Sequence, residues 1–340
     1  MSEFEFLREP SWQPRRGEDF EVQWRLVPTF EQTRMSASRG LELLPKELPA
    51  SSALGPFQGL LEKCLSLDSH TEDQIRVIYW TVALENAFEA TGWAKNIPWF
   101  RMATYGFADP EAEGDAFGVI AYLAPSLQEL KSRDIPDRLD VSGESFPIIL
   151  RQAEWHLHVP NIHPVLGTSA CWARSQRRLL SDKPAILTAK HVVGERPVGS
   201  SVPLNRGHGT LLDLAPEGID AALVEVPRSQ WPASTHPLTW QRFVAQWTDV
   251  DVYGTSSRFS TKITEVSSGR GTLDPSIPLR IFLATPGQSG DSGALVLDSA
   301  GRGVGLYMGS VMTPANVQEG FCQHLGQVAE SLSVDLLLDP

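Results

Sequence analysis

The chain has 340 residues, 41% hydrophobic and 21% charged, with 27 Gly and 25 Pro. This is long enough for two domains and is the composition of a turn-rich globular protein, which excludes a disordered chain or a helical repeat. The formal charge of −12 falls mainly on residues 1–155, with 25 acids against 15 bases, and residues 156–340 hold the other 16 and 14, so no basic stripe is available for nucleic acid or an anionic membrane surface.

The first ten residues, MSEFEFLREP, lack a basic region followed by an apolar core, and nowhere do 18 apolar residues run together. Cys64, Cys171 and Cys322 are isolated and have neither disulfide-framework nor zinc spacing. A cytoplasmic location is therefore expected, with no metal or other cofactor. Residues 31–60, rich in Ser, Pro and Gly, read as loop. TEDQIRVIYWTVALENAFEAT predicts a helix: Thr71 and Gln74 have capping-box spacing, Ile75, Ile78, Tyr79 and Val82 share a face, and Gly92 ends it. Tyr79, Trp80 and Phe88 read as core. The acidic stretch DPEAEGD, 109–115, reads as a solvated loop, and runs such as FGVIAYLA between 105 and 147 read as strands. Residues 1–155 are thus expected to form an acidic, mixed α+β N-terminal domain.

WHLHVPNIH brings His156, His158 and His163 close together in sequence, a spacing that could hold a metal, but without adjacent acids beyond Glu154 it reads as an interdomain segment. From residue 156 onward the texture becomes short strand-like runs: VLGTSACWAR, AILTAKHVV, GTLLDLA, IDAALVEV, VDVYG, RIFLATP, GALVLD and RGVGLYMGS. His208, in NRGHGT, reads as a loop residue. The last segment, EGFCQHLGQVAESLSVDLLL, places Phe321, Leu325, Val328 and Leu332 near helical spacing and predicts a terminal helix.

Peptide hydrolysis without a metal needs a nucleophile, a base and an acid that orients the base. His191 in LTAKHVV, Asp220 in DAAL and Ser292 in GQSGDSGALV supply these types in the order His, Asp, Ser on an all-β background. The α/β-hydrolase pattern G-x-S-x-G does not fit, because Ala294 follows Gly293 and only His324 follows Ser292. Together the three stretches resemble the trypsin-like (chymotrypsin-fold) serine peptidases over roughly residues 160–320. The resemblance implies two six-stranded β-barrels, with His191 as general base, Asp220 as its orienting acid and Ser292 as nucleophile. Glycines at 290 and 293 let the backbone turn tightly, so the amides of Gly290 and Ser292 are the expected oxyanion hole.

By position, Pro286, Gly287, Gln288 and Ser289 are expected to wall the substrate pocket, with Tyr307 and Met308 opposite. Pro286 stands where members cutting after Lys or Arg carry an acid, and Tyr307 where glutamate-cutting members carry a histidine, so the residue before the cleaved bond is expected to be uncharged. Asp291, without an inserted N-terminus to pair with, is expected to find another partner such as an Arg. Substrate backbone is expected to add a strand to an open edge near 306–309. The chain is thus expected to be a serine endopeptidase whose partners are protein or peptide substrates, with residues 1–155 as a sensor or adaptor for a regulatory partner. The alternative is a catalytically silent binding or scaffold protein.

Overall fold

The structure, a computed structural model, describes residues 41–339 apart from 43, 68, 94–99, 108–115, 124–135, 153, 158–166, 178–182, 206, 271–277 and 313–317. The acidic stretch 109–115, His158 and His163 lie outside the described residues. Residues 51–60, within the stretch 31–60 expected as loop, are instead helical and run on to Leu65: α1 (Ser51–Leu54), a 3-10 turn opened by Pro56, and α2 (Gln58–Leu65). Burial of Leu54, Leu61 and Cys64 outweighs the Gly and Pro that suggested a loop. The helix α3 (Glu72–Thr91) matches its expectation at both ends. Gln74 N donates to Thr71 Oγ1 at 3.2 Å, Thr71 N donates to Gln74 Oε1 at 3.0 Å, and Gly92 closes the helix at φ 72°. Burial extends beyond the expected stripe to Val77, Trp80, Ala83, Leu84 and Phe88, whereas Ile75 and Tyr79 are half-buried. The helix packs on α1 and on three strands, so more than one face is covered.

Those strands are β1 (Phe100–Phe107), β2 (Phe117–Leu123) and β3 (Arg138–Val141); β4 (Glu144–Gln152) and β5 (Glu154–Leu157) follow. β1 and β2 pair antiparallel and β2 and β4 parallel. The next group is β6 (Cys171–Ser175), β7 (Ala185–Thr188), the one-turn helix α4 (Lys190–Val193), β8 (Ser201–Leu204), β9 (Gly207–Leu214), β10 (Ala222–Glu225) and the short β11 (His236–Pro237). His208 sits on β9 and is exposed; a solvent-facing strand position accounts for a polar residue as well as a loop does.

β12 (Asp249–Tyr253), β13 (Arg258–Val266), β14 (Arg280–Leu283), β15 (Leu295–Asp298), β16 (Gly303–Met312) and β17 (Gln318–His324) close into a six-stranded antiparallel barrel in the order β12-β15-β16-β17-β14-β13-β12. The expected terminal helix is divided into β17, α5 (Leu325–Leu332) and β18 (Val334–Leu338). Phe321 therefore lies on a strand, and helical spacing holds only from Leu325 to Leu332. Ser333, left-handed at φ 53°, turns the chain out of α5.

The second expected barrel is instead an open sheet, ordered β11-β18-β6-β7-β10-β9-β8. Its edges are the two-residue β11 and the four-residue β8, and they are not paired with each other. The chain is thus mostly β, with a closed six-stranded barrel and a second sheet, consistent with the chymotrypsin-like arrangement that the resemblance implies.

The expected N-terminal region is continuous with the barrel. β1 pairs with β13 at Tyr105↔Val266 and Gly106↔Glu265, which extends the barrel sheet through β2 and β4 to β3. A buried polar cluster secures this seam. Arg151 on β4 forms an ion pair with Glu265 on β13 and lies 3.5 Å from Glu319 on β17, while Thr104 Oγ1 and Tyr122 OH donate to Glu265 at 2.5 and 2.9 Å. Arg151 and Glu265 are fully buried, so each depends on the other for compensation of its charge.

Candidate active site

His191 belongs to the run AILTAKHVV that reads as strand, but β7 stops at Thr188 and the residue sits in α4. Two hydrogen bonds join it to Asp220 in the turn before β10: His191 N donates to Oδ1 at 2.9 Å, and Nδ1 lies 2.7 Å from Oδ2. Backbone and ring held by one carboxylate fix both the position of the turn and the plane of the imidazole. Burial acts to raise the Asp220 pKa, but the His191 imidazole, its two hydrogen bonds and the charge of Arg280 together outweigh burial and hold the carboxyl below its ordinary value. With Nδ1 committed to Asp220, Nε2 is the ring nitrogen left for chemistry; it is buried and has no hydrogen-bond partner among the described residues.

Gln323, on β17 of the barrel, supports the Asp220 turn from across the cleft: its Oε1 accepts from Asp220 N at 2.8 Å and its Nε2 donates to Gly218 O at 3.2 Å. Nothing in the sequence marked Gln323, because its neighbourhood resembled a helix.

Ser292 lies in the turn that leads into β15. Thr168 N donates to Ser292 O at 2.8 Å, and the Thr168 hydroxyl donates to Gly290 O at 3.0 Å. Gly293, at φ 89°, leaves no room for a side chain: a Cβ there would approach Thr168 O to 2.1 Å, Thr188 Oγ1 to 2.6 Å and Ala189 N to 3.2 Å. The serine turn is therefore packed directly on the β7–α4 corner that carries His191. The Ser292 hydroxyl itself is buried and donates to the Met308 carbonyl at 2.7 Å, so it is not bonded to His191.

Asp291 is fully buried, and its partners are not the expected Arg but a set of short donors. Oδ1 accepts from Ser256 N at 2.9 Å and Ser257 N at 3.0 Å; Oδ2 accepts from Gln288 N at 2.8 Å and from the Ser257 hydroxyl. Four donors satisfy a buried carboxylate without a second charge. The loop can come this close because Gly254 lacks a Cβ, which would otherwise meet Asp291 Oδ1 at 2.1 Å. The TSS cluster after VDVYG was the legible trace of this cradle, since short hydroxyl residues in a turn offer backbone donors.

The same loop orients the peptide ahead of Gly290. The Ser256 hydroxyl donates to Ser289 O at 2.8 Å. In a trans peptide the N–H points opposite to the C=O, so the Gly290 N–H is directed away from Ser256. Neither the Gly290 nor the Ser292 amide donates to any group among the described residues, which leaves both for an external acceptor.

Of the residues expected to wall the pocket, Pro286 and Gly287 are half-buried and Gln288 and Ser289 exposed. Tyr307 and Met308 differ from expectation: both are buried in the interior. The Tyr307 ring fits between Gly287 and Gly320, where added Cβ atoms would come within 3.1 Å of it, and its hydroxyl accepts from Gly287 N at 2.6 Å. Burial raises its pKa well above the ordinary tyrosine value. It anchors the start of the 287–293 turn from beneath. A cavity of about 610 Å³ opens on the second sheet beside Trp172, Val202, Leu204 and Leu337, and none of residues 286–289, 307 and 308 lines it.

The edge of β16, expected to be open near 306–309, is taken from Gly309 onward by β5. The linker segment containing His156 is thus a strand of the barrel sheet.

No protein-family model and no curated protein matches the chain. Solved structures do. The crystal structure of a Nocardiopsis protease is 17% identical with a TM-score of 0.37, covering 49% of this chain and 90% of its own. Protease A of Thermobifida fusca is 15% identical with a TM-score of 0.37, covering 54% and 95%. A glutamic acid-specific serine protease, described as using a histidine triad in substrate binding, is 14% identical with a TM-score of 0.38, covering 50% and 92%. Among the described residues, no helix is long and apolar enough to cross a membrane.

Proposed function

We propose that the chain is a serine endopeptidase acting through an acyl-enzyme, with Ser292 as nucleophile, His191 as general base and Asp220 as its orienting acid. The observation that carries this is the Nε2, without a partner among the described residues, of a His191 locked on Asp220, next to a corner on which the serine turn is packed. Rotation of Ser292 about χ1 away from the Met308 carbonyl lets its hydroxyl donate to Nε2. The hydroxyl proton passes to His191 as Oγ attacks the carbonyl carbon, and the resulting oxyanion is held by the amides of Gly290 and Ser292. His191 then gives that proton to the leaving amine, and water, deprotonated by the same imidazole, releases the acid product.

The residue before the cleaved bond is uncharged, because residues 286–289 bring no charged side chain to the turn. Residues 1–155 provide the seat for a regulatory partner. The protein acts in the cytoplasm on protein or peptide substrates.

The alternative of a protease-fold binding protein without turnover is favoured by one observation, the Ser292 hydroxyl donating to Met308. A fluorophosphonate probe separates the two. It is expected to label the wild type at Ser292 and to leave Ser292→Ala unlabelled; no labelling of the wild type, in the presence or absence of peptide substrate, overturns the enzyme.

A further inference from the structure

Three segments share one side of β16. β15 holds it up to Leu306, and the pairing continues through Gly293 N to Tyr307 O at 2.8 Å and Tyr307 N to Ala294 O at 2.9 Å. Ser292 comes next, its hydroxyl on the Met308 carbonyl. From Gly309 the neighbour is β5, antiparallel, with Leu157 opposite Gly309, His156 opposite Ser310, Trp155 opposite Val311 and Glu154 opposite Met312. β17 covers the other side throughout. The register therefore sends β5 toward Ser292 with its C-terminal end nearest.

A peptide that acylates Ser292 presents the residues on the N-terminal side of its cleaved bond, ending at the attacked carbonyl. Laid antiparallel along this edge, that half has the polarity of β5 and needs the same row of backbone N–H and C=O groups. One row cannot serve two strands. We propose that β5 is a resident mimic of the acyl half of an extended substrate, and that the edge from Gly309 to Met312 admits an extended peptide only when β5 is displaced. Its regulatory meaning rests on the serine-endopeptidase reading of the site; the occupancy of the edge does not.

Two further features suit β5 to this exchange. Among the described residues it pairs only with β16, over four residues, so the hold is local and weak. It also begins three residues after Arg151, whose contact with Glu319 fixes the end of β4 against β17, at the position where Glu319 pairs with Val311. A strand tethered this closely returns to its edge with an effective concentration on the order of millimolar, so it competes with dilute peptide and yields to a tightly fitting one.

The test is a reversible lock in the full chain. Glu154→Cys with Met312→Cys puts two thiols on directly opposed residues, within the separation a disulfide spans. The three native cysteines are buried and unbridged, so reductant acts on the new bond alone. In the Ser292→Ala background, a fluorescent peptide with the sequence LRQAEWHL is expected to bind the reduced form and not the oxidised form. Equal affinity overturns the proposal, as does failure of the two cysteines to cross-link under oxidation. Successive strand N–H groups point to opposite edges, so of His156→Pro and the double variant Trp155→Pro/Leu157→Pro one removes the bonds to β16. That variant is expected to bind the peptide about tenfold more tightly, if β5 holds the edge about nine-tenths of the time.

With Ser292 intact, the oxidised form is expected to lose decapeptide cleavage while still hydrolysing p-nitrophenyl acetate, which has no backbone to pair. Decapeptide cleavage unchanged by oxidation sinks the exchange. Absence of ester hydrolysis in every form sinks the endopeptidase instead, and the binding measurement then decides the edge by itself.

Discussion

The sheet that carries His191 and Asp220 and the barrel that carries Ser292 are built to different degrees of completion. In the sheet, two hydrogen bonds from one residue to one carboxylate leave the imidazole a single orientation. In the barrel, three backbone carbonyls around the serine are held, Gly290 O and Ser292 O by Thr168 and Ser289 O by Ser256, yet the serine side chain rests on the Met308 carbonyl and not on His191. On the proposed mechanism, base and oxyanion donors are thus preset, and the moving part is one hydroxyl rotor beside the strand proposed to exchange. Such a division costs little to switch, because a side-chain rotation and a four-residue strand are among the least expensive rearrangements a fold contains.

The sharpest way to break the barrel side is Ser292→Ala, which is expected to lower kcat roughly 10⁶-fold, measured by peptide turnover. The sheet side is probed by Asp220→Asn, which keeps the shape but frees the imidazole to take the wrong tautomer and is expected to lower kcat roughly 10⁴-fold. A fall of tenfold or less would mean that Asp220 holds the turn without orienting the base. The seam between the N-terminal strands and the barrel is tested by Arg151→Met, which strands Glu265 in the interior and is expected to destabilise the chain by about 3–5 kcal/mol in urea unfolding. By the same logic, residues 156–340 alone, lacking Arg151 and β1, are expected not to fold, so the proposed regulation by the N-terminal region has to be tested in the full chain.

A smaller effect is expected of Ser256→Ala. Losing the donor on Ser289 O lets the Gly290 peptide turn, and kcat should fall by up to about a hundredfold, the usual worth of one oxyanion donor, with KM nearly unchanged. Smallest is a pH effect. Asp220 has a depressed pKa in the folded state, so its contribution to stability is present above the ordinary aspartate value of about 3.9 and is lost as pH falls through the lower folded value. Acid unfolding of Asp220→Asn should lack that component.

The candidate site was legible in part because it draws on rare residue types in a strict local context: GQSGDSGALV specifies a turn, and LTAKH and DAAL supply the His191 and Asp220 that the fold brings together. The sequence also disclosed α3, whose two ends are written in Thr71, Gln74 and Gly92. What it hid depends on pairing between distant segments. The alternation around Phe321 fits a strand as well as a helix until β14 and β16 are known to flank it. Gln323 acts through its amide on residues 103 and 105 positions away, and Ser256 through its hydroxyl on a residue 33 positions away, and no periodicity encodes that. The open second sheet was not legible either, since closure depends on which edge the last strand joins. Burial of Tyr307 follows from two glycines far apart in the chain, Gly287 and Gly320.

That last strand sets the timing of assembly. β18 pairs with β6 at Leu337↔Trp172 and Val334↔Ser175, next to β7, which leads into the His191 turn. The segment between them takes the ribosome roughly 10–30 s to produce at about 5–20 residues per second. Through that interval β6 lacks its neighbour on that edge, so the sheet bearing His191 reaches its full width only once synthesis has passed residue 338.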